Sequence, residues 1–106
     1  MTATVESMDP LFWQIDADLE VTSLSPALSE LTGITKTYHR IHLADLWDAE
    51  GPYGLTVRSH RWALRGMPIS VMARKDGMRF RLELEPLVGP DGRVTGVIGL
   101  ATELEA

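Results

Sequence analysis

From residue 78 the chain reads Met-Arg-Phe-Arg-Leu-Glu-Leu-Glu-Pro, with charge and hydrocarbon alternating strictly. A period of two places Phe80, Leu82 and Leu84 on one side of a strand and Arg79, Arg81, Glu83 and Glu85 on the other, the mark of a half-buried strand. The preceding Asp76-Gly77 suits a two-residue type I′ turn, because glycine accepts a positive φ without strain and aspartate tolerates it. Counting outward from that turn, Lys75 faces Met78, and Ala73, Val71 and Ile69 face Phe80, Leu82 and Leu84, so the apolar sets of both strands share one face. A one-residue slip would set Met72 against Phe80 and destroy that agreement. A second turn, Pro90-Asp91-Gly92-Arg93, returns the chain through Val94–Thr102 and completes a three-stranded meander.

The first half of the chain carries a different pattern. Leu11, Trp13 and Ile15 alternate in one short strand, and a turn at Asp16-Ala17-Asp18 leads to a second strand, Leu19–Leu24. Ser25 and Pro26 form a helix start, Leu28 and Leu31 follow three apart, and Gly33 is a stop signal. Leu43, Leu46 and Trp47 at i, i+3 and i+4 predict a further short helix. The longest helix is predicted from Gly54 onward, ending at Gly66 and Pro68. The order is strand, strand, short helices, longer helix, three strands.

Composition narrows the function classes. A chain of 106 residues suits one domain with one core. The net charge of −5 argues against nucleic acid or an anionic membrane as the main partner. No apolar run approaches the ~20 residues of a membrane span, and the N-terminal segment lacks the regions of a signal peptide, so a cytoplasmic domain without membrane insertion is expected. With no cysteine, disulfide and thiolate chemistry are excluded. No Ser, His and acid fall into a catalytic motif and no glycine-rich phosphate loop follows a strand, which points away from an enzyme; a small α+β enzyme without a recognisable motif is the reading from a different class.

Two stretches then carry a family resemblance. Leu11–Ile34 resembles the opening of a PAS domain, with a strand ending in Ile-Asp, a turn, a second strand and a helix closed by Leu-x-Gly. Arg74–Leu104 is similar to the C-terminal half of that family, with its Arg-x-Asp-Gly hairpin, second Asp-Gly turn and Gly-x-x-Gly strand. The resemblance implies an α+β fold over residues 9–106, a five-stranded antiparallel sheet with short helices and one longer helix on one face, preceded by a flanking segment at residues 1–8. Departures are specific: Leu19 stands where the family usually has glycine, Ser25 where it usually has asparagine, and Glu103-Leu104-Glu105 replaces an Asp-Ile-Thr ending. The stretch between Gly66 and Gly77 is shorter than usual, so the first meander strand should be short.

What the family does is sense or connect. Its members bind small molecules between sheet and long helix, or dimerise, and pass the change to an attached kinase, cyclase or transcription factor; histidine kinases of two-component systems are typical effectors. The resemblance therefore implies a small apolar ligand held non-covalently in a cleft lined by Val57, His60, Ala63 and Leu64 of the helix, by Val71, Ala73, Phe80, Leu82 and Leu84, and by Val97, Gly99 and Ala101. The small residues Ala73, Gly99 and Ala101 leave room for a ligand or for larger neighbours. The alternative is a ligand-free dimerisation module. A covalent flavin adduct is excluded for want of cysteine, and haem is disfavoured because Leu55 holds the position of the iron-ligating histidine in haem-binding members.

Remaining candidate chemistry is sparse. His60 is expected to be an interior histidine bonded to a neighbour; His39, His42 and Asp45 read as a solvated surface or, less favourably, as metal ligands. Arg58, Arg61 and Arg65 form a stripe that suits an anion or simply a solvated helix face. If Asp91-Gly92 closes a two-residue turn, Glu83 and Glu85 face Leu100 and Ile98, and the sheet side away from the helices carries Met72, Val94, Ile98 and Leu100. That patch predicts a homodimer through the outer sheet face, helped by the N-terminal segment.

Overall fold

The computed structural model describes residues 10–34, 41–47 and 54–104. In chain order these form β1 (Leu11–Asp16), β2 (Val21–Leu24), α1 (Pro26–Thr32), a 3-10 turn (Leu43–Asp45), α2 (Leu55–Leu64), β3 (Ile69–Lys75), β4 (Met78–Val88) and β5 (Val94–Leu104). The strands make one antiparallel sheet in the order β2-β1-β5-β4-β3, so the first and last strands of the chain lie side by side at its centre. The flanking segment and His39 lie outside the described residues.

Local chemistry accounts for the elements. Ser25 caps α1, accepting from the Leu28 N–H at 3.3 Å, with Pro26 in the first turn and Gly33 closing the helix at φ 77°. The same Ser25 hydroxyl accepts from the Phe12 N–H at 3.1 Å and donates to the Pro10 carbonyl at 2.9 Å, which ties the helix start to the head of β1. His42 caps the 3-10 turn through Nδ1, which accepts from the Ala44 N–H, while the Asp45 carboxylate accepts the His42 N–H. Two of the three side chains that suggested metal ligation, His42 and Asp45, are thus used as a reciprocal cap.

The β3–β4 hairpin has the register counted from its turn: Lys75 pairs with Met78, Ala73 with Phe80, Val71 with Leu82 and Ile69 with Leu84. Asp76 and Gly77 have φ 52° and 81°, the two positive values that a type I′ turn requires. β3 is the shortest meander strand, at 7 residues against 11 for β4 and for β5.

The second hairpin corrects the turn that the sequence suggested. Gly89 donates to the Arg93 carbonyl at 2.8 Å and Gly92 donates to the Gly89 carbonyl at 3.0 Å, so Pro90, Asp91 and Gly92 make a longer loop with Gly92 left-handed at φ 83°. Such a loop shifts the pairing by one residue, and Val88 indeed pairs with Val94. Thr95 is then bulged out, Leu87 pairs with Gly96, and the shift is cancelled. Glu83 still meets Leu100 and Glu85 still meets Ile98, by two compensating irregularities in place of a regular turn.

The β1–β2 connection repeats this device. Asp16 donates to the Glu20 carbonyl and Leu19 donates to the Asp16 carbonyl, with Leu19 at φ 65° in the place that Gly92 fills in the other hairpin. A left-handed leucine is strained, yet Leu19 is only 2% exposed and its carbonyl accepts from the Leu43 N–H at 2.8 Å. Burial of the side chain therefore holds a backbone conformation that glycine would adopt freely. Leu19→Gly should relieve about 1 kcal/mol of backbone strain but forfeit roughly 2–5 kcal/mol of core packing, a net loss readable as a lower urea midpoint. Gly92→Leu, the reciprocal exchange at an exposed turn, should cost about 1–2 kcal/mol.

Candidate functional site

The side chains between sheet and α2 converge on Trp13. Its partner across the β1–β5 ladder is Gly99, and a Cβ on Gly99 would overlap the Trp13 indole, so the glycine is the seat of that ring. Trp13 is fully buried and donates from Nε1 to His60 Nε2 at 3.0 Å. The other imidazole nitrogen, Nδ1, then carries the proton and donates to the Thr56 carbonyl one turn back, at 2.8 Å. Trp47 meets Trp13 edge-on with ring centroids 5.2 Å apart and meets Phe80 in the same way at 5.3 Å.

This arrangement requires a neutral imidazole. A second ring proton would point Nε2–H at an indole N–H, donor against donor. Burial lowers the His60 pKa from 6.5 to about 4, and the Thr56 hydrogen bond offsets only part of that. Both ring nitrogens are committed to protein partners, as expected of an interior histidine.

The residues proposed for the cleft lie together. Val57, His60 and Ala63 of α2 and Val71, Ala73, Phe80, Leu82, Leu84 and Val97 of the sheet are buried; Gly99 lies beneath Trp13, and Leu64 and Ala101 pack at the core's edge. Sequence reasoning missed that the room left by Gly99 is taken by Trp13 and that Trp47 joins it. The pairing of β1 with β5 links residues 80 to 90 positions apart, and no local pattern specifies that register. The Trp47 indole N–H is buried with no acceptor among the described residues, an unmet donor that costs about 1–3 kcal/mol.

On the opposite side of the sheet, Phe12, Glu83, Glu85, Ile98 and Leu100 surround a hollow of about 300 Å³. Ile98 and Leu100 are there as expected, joined by Phe12, which pairs with Leu100. Met72 is half-exposed but pairs with Arg81, so β4 separates it from the hollow. Val94 is not on this side: the bulge at Thr95 turns it to pair with Val88, and its Cγ2 lies 4.0 Å from where a Gly66 Cβ would stand, at the end of α2.

No family's sequence model matches the chain, and no curated protein does. Solved structures match over nearly its whole length. A sensory box sensor histidine kinase from Vibrio cholerae aligns over 98% of this chain and 86% of its own at 13% identity and TM-score 0.74. A domain of an HTR-like protein from Haloarcula marismortui aligns over 92% and 99% at 11% identity and TM-score 0.74. The LOV protein of Rhodobacter sphaeroides aligns over 98% and 68% at 18% identity and TM-score 0.67. The chain has the PAS fold. The PAS sheet here carries α2 across its inner face, as the resemblance implied, with Trp13 as the central contact. Among the described residues no group of three or more His, Asp or Glu side chains is placed to hold a metal, and no helix is long and apolar enough to cross a membrane.

Two consequences are measurable. Because the folded pKa of His60 lies near 4 and the unfolded one near 6.5, the unfolded chain binds more protons between these values. Stability should be complete above pH 6.5 and fall as pH drops toward 4, by on the order of 3 kcal/mol from this site. Urea unfolding of wild type and His60→Gln across that range checks it: the variant should lose this component of the slope. Gly99→Ala should destabilise by about 1–3 kcal/mol by displacing the indole, with a shift in tryptophan emission. Combined with Trp13→Phe, its cost should be less than the sum of the two single changes.

Proposed function

We propose that the chain is a sensory relay module of the PAS type, which pairs with a second copy through the outer face of its sheet and passes a change in that pairing to an effector such as a histidine kinase. It is not itself an enzyme in this reading. Sensor domains of histidine kinases among the matching structures support the relay role. Trp13, Trp47, His60 and Phe80 packed together between sheet and α2 favour a module that fills its own interior over one built around a large ligand.

The observation that carries the pairing is the outer face. Phe12, Ile98 and Leu100 supply an apolar floor beside β4, whose outward side chains run Arg79, Arg81, Glu83, Glu85. About a two-fold axis lying between two such faces and perpendicular to β4, the strand crosses its own copy antiparallel. Arg81 then meets the second copy's Glu83, while the apolar columns of β5 close on one another. A parallel crossing would set glutamate on glutamate, so the charge order selects one arrangement. Closing the hollow removes apolar surface twice, at roughly 25 cal/mol per Å² before ordering costs.

A second reading, a non-covalent ligand in the cleft, has one observation in its favour, the Trp47 N–H without an acceptor among the described residues. Such a ligand would be a small organic molecule that presents an acceptor to that indole, with Val57, Ala63 and Leu82 against its apolar part; a cysteinyl flavin adduct has no thiol to form on.

Native mass spectrometry reads both features at once. Wild type should appear as a dimer of unadorned chains, Ile98→Lys as a monomer, and Arg81→Glu as a weakened dimer that Arg81→Glu with Glu83→Arg restores. A wild-type monomer, or a dimer indifferent to the lysine, would sink the pairing. A bound mass carried by each chain would establish the ligand reading instead.

A further inference from the structure

The outward face of α2 combines features that sheet pairing leaves unused. Arg58, Arg61, Trp62 and Arg65, at i, i+3, i+4 and i+7, line one shallow groove of about 190 Å³. Trp62 is 46% exposed, and the Arg65 guanidinium lies over its ring at 5.3 Å. None of the three arginines forms an ion pair among the described residues, although the whole chain carries a net charge of −5. Like charges at these spacings disfavour the helix by themselves. Attraction to the helix dipole accounts for Arg61 and Arg65 near the C-terminus, but not for Arg58 in the middle, nor for a large aromatic ring left in water beside them.

We propose that this face docks an acidic segment of a partner protein. The four side chains follow the helix axis over about 10 Å, a linear array that fits successive carboxylates along a peptide. A compact anion would need donors that converge on one point. Trp and Arg are also the side chains that most often anchor protein contacts, and a ring already stacked with guanidinium offers an apolar edge beside fixed donors. A helix bearing Glu at i, i+3 and i+7 with Leu at i+4 would meet the three arginines and Trp62 together. The opposite face of α2 holds Val57, His60 and Ala63 in the core, so a partner on this groove rests on the element that covers the sheet. This docking is independent of the sheet pairing, since it uses the other side of the molecule.

The test is a nuclear magnetic resonance titration of the intact chain with a synthetic helical peptide of that pattern, a scrambled peptide of the same composition, and inorganic tripolyphosphate. The patterned peptide should shift the Trp62 indole and the Arg58, Arg61 and Arg65 side-chain resonances, and should bind more weakly as salt is raised. Arg61→Gln should weaken it about threefold, as loss of one exposed ion pair does, and the triple Gln variant should abolish it while the dispersion of the spectrum is kept. Absence of shifts at this face, equal binding of the scrambled peptide, or tripolyphosphate displacing the patterned peptide from these resonances would each overturn the proposal.

Discussion

The hydrogen bond from Trp13 to His60 joins three parts of the chain that have no local reason to meet. Once the Trp13 indole is buried its N–H must find an acceptor, and leaving it without one would cost about 1–3 kcal/mol. The acceptor lies on α2, the seat of the ring lies on β5, and the ring itself belongs to β1. One side chain therefore sets how far α2 stands from the sheet and which residue of β5 lies opposite β1. The neutral His60 is a consequence of this arrangement: its lone pair faces the indole, and burial penalises the charged form.

Around that contact, two hairpins solve the same backbone problem by different means. Each closes with a residue in the left-handed region followed by a return pair, and in one case the residue is Gly92, in the other Leu19. Glycine is the inexpensive solution at an exposed turn. Leucine works at the other because the turn is covered: Leu19 packs into the core and its carbonyl accepts from the Leu43 N–H at the start of the 3-10 turn. A departure from the family's usual residue thus marks a place where tertiary packing replaces intrinsic backbone preference.

The two faces of the domain divide their chemistry. The inner side is aromatic around Trp13, Trp47 and Phe80, with the Trp47 N–H as its unmet polar group among the described residues. The outer side of the sheet offers an apolar floor and an ordered row of charges, whereas the outer side of α2 offers arginines about one exposed tryptophan. Surfaces patterned in this way are suited to relaying contacts between proteins, which is the basis of the function proposed above.

Much of this was legible in the sequence because the relevant signals were local. The Asp76-Gly77 turn and strict alternation specify the β3–β4 register, since a one-residue slip would turn every apolar side chain to water. Ser25, Pro26 and Gly33 mark the ends of α1 by supplying the groups that helix termini lack, and the apolar spacing of Val57, His60 and Ala63 selects the buried side of α2. The pairing of Glu83 with Leu100 was also counted correctly, although the turn assumed for it was wrong: the longer loop and the bulge at Thr95 cancel, and only Val94 ends up on the other face. What the tertiary structure alone decided was the union of β1 with β5, and with it the fate of the space over Gly99. Small residues announce room without naming its occupant, because the occupant comes from a strand far away in the chain; here it is Trp13, held in place by an imidazole that the linear pattern could only mark as interior.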